Sequence, residues 1–577
     1  MLKEGYITQE EHDQAVAQEL VFVGVEAGSN TDPESAEDIY SWYEEQVITD
    51  VMADLQEKYG YSDKVTRQML SSGGLRIYTC IDPEVQEKAE AVYGDEELLN
   101  YVSKSTGQRL QSAITIIDNE TGDIAALVGR IGEKEINRGL NLATSAKRQP
   151  GSSIKPLSVY APAFEMGLIS PISVLDDYPH EVMGGRPWPV NVDGRYRGLV
   201  TVRQALSNSY NPVSVRVLAD LVTPENSFNF VEEHFHLDLE DGVEIGGQMK
   251  SDIGVAPLSM GGLTYGVNTR DMAEAFAVFP NGGLYQKSRT YTKVTREVDG
   301  VETVLLENQP ESEAVLKSET AYYVNSILRE VVTRVNTSGN FDSGMAIAGK
   351  TGTTDDKYDR WFVGYTPYYT AAVWVGYKTP ERIYASNNPA AVMWQKVMHL
   401  VHQSLKDKSF KQPANLVEVT VCRDSGLLPS DACALDPRGD RTVRVTLSAH
   451  DVPTTQCTAH KLVEICNASG HVANEFCAQV PGNATHKVAL LDVSRAFPKN
   501  GVVVLDQAYA ILTGDLPAGY YAAVSPDVDS INVECYIHSE DDLPEPEPEE
   551  DSEEDTDPSQ SVIDRIRDSI ANGDRTP

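Results

Sequence analysis

The sequence predicts a mixed α/β (α+β) protein built from more than one compact unit, and three observations carry that expectation. Helical and strand-like periodicities alternate from about residue 111 to about residue 405. Beyond about 410 the chain turns to short strand-like runs, prolines and cysteines. From EDDLPEPEPEEDSEEDTDP onward it is too charged and too poor in apolar residues to bury a core, and reads as a disordered tail. A chain of 577 residues, at roughly 100–200 per domain, allows about three to five units. Its 41% hydrophobic content, with 42 Gly and 30 Pro, is ordinary for a soluble globular protein.

Taken in order, the first 70 residues show helical spacing in EEHDQAVAQEL and in DIYSWYEEQVITDVMADLQEKYG. The pair Gly73-Gly74 introduces LRIYTCID, an alternating run that predicts a strand. In SAITIIDNETGDIAALVG two apolar runs flank Asn-Glu-Thr-Gly, which supplies turn chemistry, so strand, turn and strand follow. Around Lys350, apolar residues before and alternating aromatic and β-branched residues after predict neighbouring antiparallel strands. AAVMWQKVMHLVHQSL closes the block with helical periodicity.

Charge narrows the partners. With 87 Asp plus Glu against 48 Lys plus Arg the formal net charge is −39. Such a polyanion repels phosphate backbones and anionic membrane surfaces, and no basic patch interrupts it, so nucleic acid is excluded as a partner. No run approaches the ~18 consecutive apolar residues of a membrane span, and the N-terminus lacks the order of a signal peptide. Six of the seven cysteines (Cys422, Cys433, Cys457, Cys466, Cys477, Cys535) fall in the last third. That clustering suits an oxidising compartment, so an extracytoplasmic chain is expected, one that lacks its own export segment.

Three short motifs carry chemistry. In RQPGSSIKP, Pro150 and Gly151 break the chain and helical spacing follows, which puts Ser152 at a helix start. Lys155, three residues on, shares its face. A serine hydroxyl needs an adjacent base to attack, and a lysine whose pKa falls in a dry cleft can serve. Alone, Ser-x-x-Lys is common by chance. The second motif, Ser209-Tyr210-Asn211, lies between two helical patterns and by itself reads as a turn. The third is Lys350-Thr351-Gly352-Thr353, where a glycine without Cβ lets a substrate backbone approach and the lysine and hydroxyls can grip a carboxylate.

A rival reading exists for the third motif. Gly344 to Thr351 fits the phosphate-loop pattern G-x-x-x-x-G-K-[ST], and the apolar run ending at Asp492 imitates a magnesium-holding acidic strand. Strand-like residues follow where that loop must open a helix, so nucleotide binding is not expected.

In combination and in this order, Ser-x-x-Lys, Ser-x-Asn and Lys-Thr-Gly resemble the serine penicillin-recognising enzymes. The longer strings RQPGSSIKP, PLSMGGLTYGVNTRDMAEAFAVFPNGG, GKTGTT and DRWFVGYTP resemble class A penicillin-binding proteins, which join a glycosyltransferase to a transpeptidase. LKEGYITQEEHDQAVAQEL is similar to the end of the glycosyltransferase, and GGLRIYTCIDPEVQEKAEA to the connecting segment. The resemblance implies a truncated chain without the anchor and without glycan polymerisation. It implies a sheet of about five strands, mostly antiparallel, flanked by helices. Residues 1–110 would be the glycosyltransferase remnant and connector, 111–405 the transpeptidase, 406–538 a Cys-containing small-strand region and 539–577 the acidic tail.

The resemblance also implies roles. Ser152 would attack the penultimate D-Ala of a stem peptide ending in D-Ala-D-Ala, and Lys155 would take its proton. Ser209 would relay a proton to the leaving amine, and Asn211 would hold the donor amide. Lys350, Thr351, Gly352 and Thr353 would fix the terminal carboxylate and admit the substrate backbone, and the Ser152 and Thr353 N–H groups would form an oxyanion hole. Penicillin would acylate Ser152. Peptidoglycan stem peptides and β-lactams are thus the expected partners, the cell envelope the expected location, and no cofactor is expected. The alternatives are a D-Ala-D-Ala carboxypeptidase, a β-lactamase, for which no deacylating acid is evident, and a non-catalytic wall-binding protein. For the cysteines, the repeated form C-x-x-S-G-x6-C predicts two local disulfides, Cys422–Cys433 and Cys466–Cys477, with no metal. A zinc site from Cys457, His460, Cys466 and Cys477 is the rival, and Cys80 and Cys535 have no evident partner.

Overall fold

The computed structural model describes Thr8 and residues 39–334, 344–436, 439–491 and 534–544. The helical pattern of residues 10–20, with the resemblance drawn from it, Asp492 and the tail beyond residue 544 lie outside the described residues. Two units result. One falls within Met1–Tyr196, Val200–Glu418 and Thr446–Val452, the other within Arg197–Leu199, Val419–Val445 and Pro453–Pro577.

The first unit is organised by a five-stranded sheet, here β1 (Gln111–Asp118), β2 (Ile124–Val128), β3 (Ala348–Thr353), β4 (Asp359–Tyr365) and β5 (Tyr369–Gly376). Its order is β3-β4-β5-β1-β2, and every pairing is antiparallel, as expected. The β1–β2 turn is closed by Asp118, whose Oδ1 accepts from the Glu120 and Thr121 amides, and by Gly122 at φ +74°. β1 and β2 are buried almost throughout, with Ala113, Ile114, Ile116 and Ile117 of β1 and all five residues of β2 in the core.

Register sorts the faces. Thr115, Ala372, Val363 and Lys350 stand opposite one another across four strands and therefore share a face. On that face Thr115 meets Thr269, the first residue of helix Thr269–Ala277, through their hydroxyls at 2.9 Å. Tyr365, on the same face, donates at 2.7 Å to Asn325 of helix Ser318–Arg334. The opposite face carries Phe362, packed edge-on against Trp394 of helix Pro389–His402 at 5.2 Å. Helices thus cover both faces, and β3 is left at an edge, where a ligand backbone can reach it.

The helix Trp42–Tyr59 begins at a reciprocal cap between Ser41 and Glu44 and ends at Gly60 in the left-handed region. Tyr43 fastens it beneath the sheet, donating to the Ile124 carbonyl at 2.6 Å. The predicted strand after Gly74 is Leu75–Thr79, which joins Tyr291–Val298 and Val301–Glu307 in a separate three-stranded sheet. In the second unit, His460–Cys466 pairs antiparallel with Thr485–Leu491.

Candidate active site

Proline and glycine set up the serine. Gly151 has φ +54°, and the chain then winds one tight 3₁₀ turn, Gly151–Ile154, before running on through Pro156–Tyr160 and Ala161–Glu165. Ser152 therefore starts a helical run, as the sequence predicts, and the Lys155 amide donates to the Ser152 carbonyl one turn later. Ser152 is part-exposed, whereas Lys155 is fully buried.

This turn is pressed onto β3. A Cβ on Gly151 would lie 2.5 Å from the Thr353 carbonyl oxygen, and one on Gly352 would lie 2.2 Å from the Pro150 carbonyl oxygen. Glycine at both positions is what lets the serine turn and the Lys350 strand touch backbone to backbone. Trp361 of β4 reinforces the contact by donating to the Gln149 carbonyl at 2.9 Å.

The second motif comes from a helix junction. Helix Val202–Asn208 is started by Thr201 and Gln204 capping each other and ends at Ser209, held at φ +60°. Asn211 opens the next helix, Asn211–Arg216. This bend aims Ser209 and Asn211 at the buried lysine. Lys155 Nζ donates to Asn211 Oδ1 at 2.7 Å and to the Ser209 carbonyl at 3.0 Å, and lies 3.4 Å from Ser209 Oγ. On the other side of that hydroxyl, Lys350 Nζ donates to Ser209 Oγ at 3.0 Å and to the Thr351 carbonyl at 3.0 Å. Ser209 thus bridges the two amines.

Burial dominates the electrostatics of Lys155. Burial pushes its pKa well below the ordinary lysine range, the nearby Lys350 charge pushes it further, and Asp177 and Asp355 oppose both. A neutral amine has two N–H groups and one lone pair. When Lys155 is neutral, its two N–H groups can stay on the Asn211 and Ser209 carbonyl oxygens, and the lone pair is then available to accept a proton. Burial pulls Lys350 down to about 7.

That last shift has a measurable consequence. An unfolded lysine titrates near ~10.4, whereas folded Lys350 titrates at about 7. Between these values the unfolded chain holds the extra proton, so stability rises with pH, and the gain disappears as pH falls through about 7. Lys350→Met is expected to raise the thermal midpoint by several degrees at pH 7 and to flatten its rise toward pH 9. Thermal unfolding of both proteins across that range checks it, and parallel curves would contradict it.

The structure thus brings Lys155, Ser209, Asn211 and Lys350 into one hydrogen-bonded group and sets Ser152, Gly352 and Thr353 beside it. Thr351 joins through its carbonyl, and Thr353 Oγ1 accepts from Arg360 at 3.1 Å. The sequence did not reveal the support of Asn211. Both Asp177 oxygens accept from Asn191 Nδ2 at 2.8 and 2.9 Å, and Asn191 Oδ1 accepts from the Asn211 amide at 2.8 Å. No local spacing signals this chain of contacts. The phosphate-loop reading fails, because Lys350 and Thr351 lie within strand β3 and the chain runs on into strand β4 rather than opening a helix.

The cysteine expectation is corrected. All seven cysteines are free, so the Cys422–Cys433 and Cys466–Cys477 disulfides are not formed. Each pair instead converges with a third cysteine and a histidine: Cys422, Cys433, Cys457 and His460 in one cluster, and Cys466, Cys477, Cys535 and His538 in another. In the first, three sulfurs face one imidazole nitrogen, an arrangement no S–S bond produces. The rival zinc set fails too, because its four residues are split between the clusters.

Residues 112–398 match the family described as penicillin binding protein transpeptidase domain, and residues 412–462 that of the penicillin-binding protein 1A C-terminal domain. Penicillin-binding protein 1A of Clostridium botulinum is 32% identical over 532 residues, covering 89% of this chain and 60% of that protein. Its counterpart in Clostridium acetobutylicum is 34% identical, covering 72% of this chain and 51% of that protein. The chain therefore spans about half to three fifths of the length of the relatives it matches. Among solved structures, penicillin-binding protein 1A from Haemophilus influenzae shares the fold at TM-score 0.57 and 19% identity, covering 79% of this chain and 81% of that one. A Mycobacterium tuberculosis penicillin-binding protein, PonA1, does so at 0.54 and 23%, covering 64% and 95%, and has also been solved with penicillin V.

Proposed function

Because the chain belongs to the penicillin-binding protein 1A family and carries its transpeptidase domain, we propose that it is a serine acyl-enzyme DD-transpeptidase. It acts outside the cytoplasm, at the cell envelope, on peptidoglycan stem peptides ending in D-Ala-D-Ala. One observation carries the reading: a buried lysine, its pKa lowered by burial, one turn after a part-exposed serine and linked through Ser209 to a second lysine on an edge strand.

Ser152 Oγ attacks the carbonyl of the penultimate D-Ala as its proton passes to the Lys155 lone pair. The Ser152 and Thr353 amides receive the negative charge that develops on the carbonyl oxygen. The C–N bond to the last D-Ala breaks, and Ser209, between the two amines, passes a proton to the leaving nitrogen. Asn211 holds the donor amide. Lys350, Thr351 and Thr353 hold the terminal carboxylate, and the bare Gly352 leaves room for the substrate backbone. The amine of a second stem peptide then takes the acyl group, restoring Ser152 and completing a cross-link. A β-lactam enters the same path and acylates Ser152, and the buried Asp177 carboxylate accepts from Asn191 at both oxygens. Within this reading residues 111–405 are the catalytic unit.

The test uses a synthetic stem pentapeptide ending in D-Ala-D-Ala, with and without an acceptor amine. Released D-Ala together with a cross-linked product is expected. Release without cross-linking at every acceptor concentration would make the chain a carboxypeptidase, and no release would overturn the reading.

A further inference from the structure

The two cysteine clusters are built alike in sequence and in backbone. Each supplies C-x10-C followed by C-x-x-H: Cys422, Cys433, Cys457 and His460, then Cys466, Cys477, Cys535 and His538. In the first, the Cys422 amide donates to the Leu427 carbonyl and the Gly426 amide returns to the Cys422 carbonyl, both at 2.8 Å. In the second, the Cys466 amide donates to His471 at 2.9 Å and the Gly470 amide returns to Cys466 at 2.8 Å. Gly426 and Gly470 both have φ +71°. The third cysteine docks identically, Cys457 onto the Leu428 carbonyl at 2.6 Å and Cys535 onto the Val472 carbonyl at 2.8 Å. Leu428 and Val472 each stand six residues after the first cysteine of their repeat.

Each repeat points four donor atoms at one spot. His460 Nδ1 lies 3.5, 3.5 and 3.4 Å from the sulfurs of Cys422, Cys433 and Cys457. His538 Nδ1 lies 3.3 Å from Cys466 Sγ and 3.5 Å from Cys535 Sγ. Within each cluster all four ligand atoms lie within 4.8 Å of one another. One N–H cannot satisfy three sulfurs. A tetrahedral ion with Zn–S near 2.3 Å and Zn–N near 2.05 Å instead requires an N···S separation of about 3.6 Å. The first site also has the outer support that metal-bound imidazoles need, with His460 Nε2 3.0 Å from Asp436 Oδ2 and 3.4 Å from Asp424 Oδ2. Asp424 is itself gripped at both oxygens by Arg441, each at 2.8 Å.

We propose that this chain carries two structural zinc sites, each of three cysteine thiolates and one histidine Nδ1, formed by a duplicated module. Sulfur-rich tetrahedral donors select zinc among the common divalent ions, and four protein ligands leave no open position for catalysis. Binding Zn²⁺ forms three Zn–S bonds and one Zn–N bond and releases the thiol protons to solvent, with nothing oxidised or reduced. The ion keeps these thiols from pairing, which reconciles clustered cysteines with the absence of disulfides among them.

The experiment is metal analysis of the purified full chain after loading with Zn²⁺ and desalting, with thiol mapping under non-reducing conditions. About two zinc ions per chain and no disulfide-linked cysteine peptides are expected. Cys433→Ser and Cys535→Ser should each retain one. Substitution with Co²⁺ should give the visible absorption of a tetrahedral thiolate complex even if a serine variant misfolds. Less than one zinc per chain, or Cys422–Cys433 and Cys466–Cys477 linked peptides in the loaded protein, would overturn the proposal. One zinc that only Cys433→Ser removes would overturn the second site. None of these readouts depends on Ser152.

Discussion

Ser152→Ala is expected to reduce D-Ala release from a stem pentapeptide by at least ~10³–10⁴-fold, equivalent to about 4–5.5 kcal/mol of transition-state stabilisation. The size follows from the absence of a substitute. Ser153, the neighbouring hydroxyl, is fully buried and already donates to the Pro150 carbonyl at 2.7 Å, so it cannot turn toward substrate. Ser209 is engaged by the amines on both sides. The thermal midpoint should hardly move, because Ser152 is part-exposed. A variant retaining a tenth of the activity would mean that another atom attacks.

Lys155→Met should be nearly as damaging to acylation, by ~10³-fold or more, because a general base and the electrostatic centre of the site vanish together. It removes a fully buried ionisable group, so the folded state should not lose stability in proportion. The wild-type acylation rate should rise with pH as Lys155 loses its proton and level off well below the ordinary lysine range, since burial and the Lys350 charge lower that pKa. The variant's residual rate should lack this limb. Acylation rates measured from pH 5 to 10 test both statements, and a limb unchanged in Lys155→Met would assign the base elsewhere.

Much of this was legible in the chain because the informative signals are local. The strand–turn–strand from Gln111 to Val128 declares itself through alternation and Asn-Glu-Thr-Gly, and Ser152 with Lys155 need only one turn to meet. Lys350 lies on the strand that the apolar residues before it and the alternating residues after it predict. Two features were not legible. Asp177, Asn191 and Asn211 are brought together by tertiary contacts over 14 and 20 residues, and each alone is an unremarkable polar side chain. The C-x10-C spacing suits a disulfide loop and a pair of metal ligands equally. Cys457 and His460 are visible as metal-ligand candidates in the sequence, but their grouping is not, and a sulfur 58 residues after Cys477 carries no periodicity to reveal it.

The most direct measurement is the intact mass of the protein after incubation with benzylpenicillin, followed by peptide mapping. One covalent adduct per chain, confined to the peptide containing Ser152 and persisting after the free drug is removed, is the predicted result. An unmodified mass, or an adduct on any other residue, would contradict the account.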